Sequence, residues 1–262
     1  MQITEVTFAA SLNCPTKGLL YLHHAAGGNS EFSRWQERIQ ADFDAATLGR
    51  MCSDFPAEDV FEGTPPVSDL RSRRYSLVVK YEAVTPEAQS RLHALQLPER
   101  EPGKREGYIP IRLVCREKLK ASDRLCLAFD ALAVSHDLAH VPRVGKLVHG
   151  RDRRSVTVHL DPWLKKARQR ISDIRKYESP SAPPALILNR HCSECEFQLR
   201  CRNLAAEQDD LSLLANLSEK EWKQQHGKGI FTVTQLSYTF RPRKRSKRSD
   251  PQTFGLLPAK GT

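Results

Sequence analysis

Apolar side chains recur every three or four residues in three segments of the chain, which is the spacing of a helix with one buried face. We therefore predict helices at residues 29–51, 122–136 and 161–178. The second segment is mostly apolar, so we expect this helix to be buried. Ser122 is its predicted N-terminal cap. The third carries Lys and Arg between its apolar positions and has Pro162 in its first turn, where proline is common.

Short runs rich in β-branched and aromatic residues indicate strands between these helices. The polar, charged segment at residues 86–107 is expected to be a connection between the first two strands. The order helix, strand, strand, helix, strand, strand, helix predicts an α/β (α+β) core, in which helices flank the faces of a sheet. The predicted strands are residues 74–84, 108–115, 145–150 and 154–160, the last two forming a hairpin around a polar turn.

The chain of 262 residues is long enough for one large domain with appendages. We predict a main domain at 1–205, a small helical unit at 206–240 and a basic, disordered tail at 241–262. No apolar run approaches the roughly 20 residues that span a bilayer, and the N-terminus lacks the features of a secretory signal. We therefore expect a cytoplasmic protein with no membrane partner, whose seven cysteines are thiols or metal ligands rather than disulfides.

The chain has 41 Lys and Arg residues against 31 Asp and Glu, a formal net charge of +10. A basic balance favours a nucleic-acid partner, because Lys and Arg neutralise phosphates and release counterions. Solubilising surface charge is the alternative, and for the helix at 161–178 the two interpretations stay equally open. The candidate nucleic-acid contacts are Lys165, Arg168, Arg243, Lys244 and Arg245.

Three cysteines, Cys192, Cys195 and Cys201, lie within ten positions, which is too dense for unrelated thiols. The Cys-x2-Cys spacing lets two thiolates reach one metal, and Cys201 joins them if a helical turn begins at Cys195. A fourth sulfur must come from elsewhere, and Cys14, which is followed by a proline, is the best candidate. Four thiolates suit a 4Fe–4S cluster or a structural zinc ion, and His191 leaves a zinc site with three Cys and one His open.

The segments "LNCPTKGLLYL" at 12–22 and "HCSECEFQLRC" at 191–201 together resemble the iron–sulfur branch of the RecB-like PD-(D/E)XK nucleases. That branch includes the CRISPR-associated adaptation exonucleases, the AddB-type repair nucleases and bacterial RecB-like nucleases. The resemblance covers roughly residues 8–245 and implies a restriction-endonuclease-like core with a small mixed sheet. It also implies a 4Fe–4S cluster that holds the two ends of the domain together through Cys14, Cys192, Cys195 and Cys201.

In these nucleases the catalytic groups come from a helical His or Glu, a G-x-x-D, a D/E-x-K on the next strand and a Q-x-x-x-Y on the following helix. All four motifs are altered in this chain, and neither G-x-x-D nor Q-x-x-x-Y occurs anywhere. Glu37, Glu82 and Glu117 remain as candidate ligands for Mg²⁺ or Mn²⁺, although each alone is more often a surface glutamate. We therefore expect a degenerate, inactive catalytic site.

The sequence thus predicts a RecB-like nuclease-fold, iron–sulfur protein that binds DNA, with single-stranded DNA among the candidates. A separate nuclease or helicase would then be a partner that supplies the missing activity. Two alternatives stay open. One is an active Mg- or Mn-dependent DNA exonuclease with a rearranged site, and the other is a zinc-stabilised module for nucleic-acid or protein interaction.

Overall fold

The computed structural model describes residues 2–28, 31–98, 107–177, 183–215 and 217–239. Within these residues the centre of the molecule is one mixed sheet of seven strands. Six of them follow the order β2-β3-β4-β5-β6-β7, and the seventh, the short β1, pairs with β4 outside this order. The strands are β1 Ile3–Thr4, β2 Val60–Glu62, β3 Leu77–Val84, β4 Ala88–Gln96, β5 Ile109–Val114, β6 Val144–His149 and β7 Arg154–His159.

The middle of the sheet is an antiparallel meander followed by a crossover. Strands β3, β4 and β5 are antiparallel neighbours, whereas β6 is parallel to β5. A parallel pair needs a long connection, and helix α5, Ala121–Leu138, provides it before β7 returns antiparallel to β6. The predicted α+β class, a mixed sheet flanked by helices, is confirmed.

Helices cover both faces of this sheet. The helices besides α5 are α1 Glu5–Asn13, α2 Pro15–Leu22, α3 Glu31–Ser53, α4 Val67–Ser72, α6 Asp161–Lys176, α7 Gln198–Glu207, α8 Glu219–Gly227 and α9 Val233–Thr239. One face packs against α5, which is joined there by α1 and α6, and Phe8 of α1 stacks on Phe129 of α5 at 4.5 Å between ring centroids. The other face packs against the C-terminal half of α3 around Leu48 and Ile111.

The largest error of the sequence prediction is strand β4, which lies inside the segment expected to be a connection. Its inward positions include the small or polar residues Ala88, Ser90 and Ala94, so the alternation lacks the β-branched and aromatic side chains typical of strands. The predicted cap of α5 is also wrong. The helix begins before Ser122, and the Asp123 carboxylate accepts the backbone N–H of Lys120 at 2.7 Å.

The C-terminal part of the described chain consists of short elements. Helix α7 runs across the predicted boundary at 205/206, and Leu211, in the short 3-10 helix that follows it, is buried. Residues 241–262, predicted as a basic disordered tail, lie outside the described residues. Among the described helices, none combines the length and apolar character needed to cross a membrane.

Candidate metal centre and adjoining cavity

An open cavity of about 940 Å³ lies between the two ends of the main domain. All four predicted cysteine ligands line it. The other walls come from the N-terminal half of α3, from β5 and from the start of α5. The structure therefore brings Cys14 to the same cavity as Cys192, Cys195 and Cys201, nearly 180 residues further along the chain.

Cys14 occupies the junction between two helices. Its backbone N–H closes α1 on the carbonyl of Ala10 at 3.0 Å, and its extended conformation turns the chain into α2, which starts at Pro15. Its sulfur caps α2 by accepting the backbone N–H of Lys17 at 3.4 Å. The proline after the cysteine thus fixes the direction in which the second helix leaves.

The cysteine triplet lies on a tight turn and the helix after it. Cys192 opens a 3-10 turn, and its sulfur accepts the backbone N–H of Asn189 at 3.2 Å. Cys195 ends this turn, and Cys201 follows in α7. Helix α7 begins at Gln198 rather than at Cys195, so the third cysteine is presented by a helix that starts later than predicted. Backbone N–H groups that point at cysteine sulfurs are a common feature of iron–sulfur sites.

Direct contacts also join the two cysteine segments. Glu196 forms an ion pair with Lys17 at 2.8 Å and accepts a hydrogen bond from the Tyr21 hydroxyl. Its carbonyl accepts the N–H of Gly28 at 2.8 Å, and Phe197 contacts the Tyr21 ring edge-on with centroids 5.6 Å apart. The front and rear of the domain are therefore packed together by their own side chains at the position of the cysteines.

The electrostatics of the cysteines reflect their proximity. Burial, together with negative charge on Cys14, Cys195 and Cys192, raises the pKa of Cys201 to about 11. Burial also raises the pKa of Cys195. Mutual repulsion of this kind keeps thiols protonated, and a cation that binds the thiolates would release those protons. The donor set suits a four-thiolate centre, although no group of three or more His, Cys, Asp or Glu in the described ranges is arranged to hold a metal ion.

A buried ion pair lies beside the cavity. The guanidinium of Arg112, which lines the cavity from β5, donates two hydrogen bonds to Asp130 of α5, at 2.8 and 3.0 Å. The hydroxyl of Ser90 donates to the same carboxylate at 2.6 Å. Burial lowers the pKa of Arg112, but the negative groups around it, Asp130 foremost, together outweigh burial and hold that pKa above its ordinary value. Sequence analysis missed this network because its members are distant in sequence, and Ser90 lies on the unrecognised strand β4.

A second polar pair, between His93 and Asp44, also lines the cavity. His93 of β4 has its Nε2 3.5 Å from Asp44 Oδ2 of α3, and Asp44 also accepts a hydrogen bond from Gln40 at 2.7 Å. The Nδ1 atom of His93 is buried and has no hydrogen-bond partner in the described part of the chain. Glu37 lines the same cavity from the same helix. No sequence signal identified His93, because its strand was not recognised.

The three predicted catalytic glutamates are not brought together. Only Glu37 lines the cavity. Glu82 on β3 accepts a hydrogen bond from Gln89 at 2.7 Å, and Glu117 accepts the backbone N–H of Arg151 at 3.1 Å beyond the end of β5. The three glutamates therefore do not share this cavity, because strand β4 separates β3 from β5 and both Glu82 and Glu117 have local partners.

Two of the predicted nucleic-acid contacts, Lys165 and Arg168, do not line this cavity. Lys165 and Arg168 are exposed on α6, none of whose residues lines the cavity. Arg243, Lys244 and Arg245 lie outside the described residues.

The rim of the cavity instead carries an aromatic pair that the sequence pattern assigned to the buried face of a helix. Phe32 and Trp35 stack at 5.9 Å between ring centroids, and they are 40% and 49% exposed. Trp35 lines the cavity together with Ile39. Only the C-terminal half of α3 packs on the sheet, so its N-terminal half presents apolar side chains beside the opening.

Comparison with known proteins does not extend this description. No family model and no curated protein matches the chain. The crystal structure of SSO0001 aligns with 64% of this chain and 98% of that chain, at 14% sequence identity and a TM-score of 0.32. A similarity of this extent is too low to assign a fold or a function.

Proposed function

We propose that this chain is a RecB-like, restriction-endonuclease-like protein that binds single-stranded DNA, is held closed by an iron–sulfur cluster and has no working hydrolytic site. The observation that carries the proposal is the convergence of Cys14 with Cys192, Cys195 and Cys201 on one cavity. The resemblance of the two cysteine segments to that nuclease branch motivates it. The antiparallel meander with its helical crossover is compatible with such a core.

In this proposal the cluster is structural. It would be bound by the four thiolates, and when bound it supplies a covalent link between the front and the rear of the domain. A single cross-link across nearly 180 residues removes about 5 kcal/mol of chain entropy from the unfolded state in the loop-closure model. The ion pair between Lys17 and Glu196 would then orient segments that the cluster holds together.

The cavity supports the absence of hydrolysis. Metal-dependent cleavage of phosphodiesters needs several oxygen ligands around Mg²⁺ or Mn²⁺. On the consecutive strands β4 and β5 the cavity receives His93 and Arg112 instead of carboxylates. Among the carboxylates that line the cavity, Asp123 forms an ion pair with Arg116 and Asp44 faces His93. This leaves Glu37 and Glu194 as the lining carboxylates without an ion pair in the described residues.

Single-stranded DNA is the favoured ligand because of the cavity rim. Exposed aromatic rings beside a groove stack on unpaired bases, whereas the bases of a duplex already stack on one another. Phe32 and Trp35 offer such rings, and Arg34 and Arg38 on the same helix are exposed cations that can approach phosphates. The net charge of +10 favours the same partner. A separate nuclease or helicase in the cytoplasm would supply the missing activity.

The test uses a fluorescent single-stranded oligonucleotide and its duplex form in anisotropy titrations, followed by incubation with Mn²⁺ or Mg²⁺. We expect tighter binding to the single strand and no cleavage. The absence of binding at micromolar protein would contradict the proposed ligand. Cleavage that is lost in Glu37→Gln or Asp44→Asn would instead establish an active nuclease with a rearranged site.

A further inference from the structure

A second cavity, of about 250 Å³, lies on the sheet face that α3 covers and shares no lining residue with the cysteine cavity. It is bounded by the C-terminal half of α3 and by the hairpin of β6 and β7. Ile111 and Val148, both buried, belong to its wall. Three cationic side chains line it as well: Arg50, Lys146 and Arg153.

Lys146 has an unusual partner for a half-buried ammonium group. It lies on β6 opposite Ile111 of β5, and its Nζ donates to the neutral side chain of Gln96 at 2.9 Å. Among the described residues Gln96 is its side-chain partner, and no carboxylate pairs with it there. A partly buried cation generally has an anionic partner, because an uncompensated charge is costly to remove from water. The charge of Lys146 is therefore available to a ligand.

Arg153 is held in a strained conformation that directs it toward the same cavity. It ends the hairpin turn with φ +50, in the left-handed region that glycine or asparagine usually occupies. This conformation costs an arginine on the order of 1 kcal/mol. Its Nε donates to the buried hydroxyl of Thr47 at 3.1 Å, which leaves the other guanidinium N–H groups free of any carboxylate among the described residues.

The acidic side chains of this cavity do not neutralise the three cations. Asp152 forms an ion pair with Arg154, at 2.9 Å, outside the group of three. Asp54 lines the cavity without an ion pair in the described part of the chain. The volume exceeds that of one tetrahedral anion and is somewhat below the roughly 300 Å³ at which pockets for drug-sized molecules begin.

We propose that Arg50, Lys146 and Arg153 form a binding site for a phosphate group. Arginine offers paired N–H donors to phosphate oxygens, and lysine acts as a point charge beside them. The phosphate belongs either to a small phosphorylated compound or to a nucleic-acid backbone, which share the chemistry that this cavity recognises. The site does not depend on the cysteine centre or on the aromatic rim.

Isothermal titration of the full chain with inorganic phosphate, against sodium chloride of equal ionic strength, tests the site. Wild-type protein should bind phosphate saturably, and Lys146→Gln should weaken binding at least tenfold. Arg153→Gly should do the same while its melting temperature stays close to that of wild type, because relief of the left-handed strain offsets the lost hydrogen bond to Thr47. Lys220→Gln is the matched control and should bind like wild type, because Lys220 is exposed on α8 and lines neither cavity.

Absence of saturable binding by wild type, or unchanged binding in both variants, would overturn the site. Titration of the same variants with a single-stranded oligonucleotide then identifies the source of the phosphate. A parallel loss of oligonucleotide affinity assigns the site to a nucleic-acid backbone, and unchanged oligonucleotide affinity assigns it to a small phosphorylated compound. Failure of phosphate binding leaves DNA binding at the aromatic rim intact, so the two proposals fail separately.

Discussion

At the scale of single residues, the buried ion pair between Arg112 and Asp130 is the polar contact whose disruption we expect to cost the most stability. Asp130 is almost fully buried and receives hydrogen bonds from Arg112 and Ser90. Removal of one member leaves a buried charge without a partner, which costs far more than the net contribution of the intact pair. The network therefore fixes α5 against β4 and β5 beside the cavity.

Asp130→Ala should lower the free energy of unfolding by about 3–5 kcal/mol, because the Arg112 guanidinium loses its only described carboxylate partner. Urea unfolding measures the change. Arg154→Gln, which breaks an exposed pair with Asp152, should cost less than about 1 kcal/mol. Equal effects of the two substitutions would contradict the burial of the Arg112 pair.

Glu5 gives the stability a pH dependence with a defined sign. Burial raises the pKa of Glu5, more than the backbone N–H of Arg91 lowers it. Because the pKa of Glu5 is higher in the folded than in the unfolded protein, Glu5 contributes to the stability of the folded state at pH below about 4.5. This contribution is lost as the pH rises through the folded-state pKa. Glu5→Gln removes it, so the stability of the variant relative to wild type should increase from pH 4 to pH 7. A constant difference in urea unfolding would contradict this.

Trp35 tests the aromatic rim directly. If the ring stacks on an unpaired base, Trp35→Ala should weaken binding of single-stranded DNA by about 1–3 kcal/mol. Tyr238→Ala is the matched control, because Tyr238 is 84% exposed on α9 and does not line the cavity. Anisotropy titrations that show the same affinity for Trp35→Ala and wild type would exclude the rim as the binding surface.

At the scale of elements, the helices and strands with a clear hydrophobic period could be predicted from the sequence. The helices α3, α5 and α6 and the hairpin of β6 and β7 occur close to their predicted bounds, because their apolar positions have a clear period. Strand β4 was missed because its inward side chains are small or polar, so its identity comes from neighbours on both sides. Tertiary pairing overrides a weak local signal there.

The end of α5 allows a test of local backbone strain. Ala139 closes this helix in the left-handed region, at φ 58 and ψ 15, where glycine has no Cβ penalty. Ala139→Gly should raise the free energy of unfolding by about 0.5–1 kcal/mol. Ala45→Gly, in the exposed middle of α3, should lower it by about 1 kcal/mol, and urea unfolding compares the two. A decrease in both variants would contradict the left-handed end of α5.

At the scale of the whole molecule, the candidate site shows where sequence analysis stops. The spacing of Cys192, Cys195 and Cys201 and the resemblance at Cys14 were enough to name four residues that line one cavity. The spacing of cysteines is a local property, so it can be read directly from the sequence. The contact between His93 and Asp44 joins a strand to a helix across the fold, and no sequence pattern marks it.

The separation of the candidate glutamates is likewise a tertiary feature that no local sequence pattern encodes. Glu82 lies on β3 and Glu117 follows β5, and β4 lies between these two strands. The two cysteine segments, in contrast, are far apart in sequence but line one cavity. They contact each other through Lys17, Tyr21 and Glu196, and the proposed closure of the domain depends on this proximity. A metal centre at this junction would link the beginning and the end of the fold.

The most direct test is the content of iron, acid-labile sulfide and zinc in protein purified without oxygen. Wild type should contain about four iron and four sulfide per chain. Cys14→Ser should lose most of both and melt at a lower temperature, as Cys195→Ser should, whereas Cys52→Ser, at a half-buried cysteine outside the cavity, should keep them. Zinc without sulfide, or a Cys14→Ser protein with the iron content of wild type, would contradict a cluster that joins the two ends of the domain.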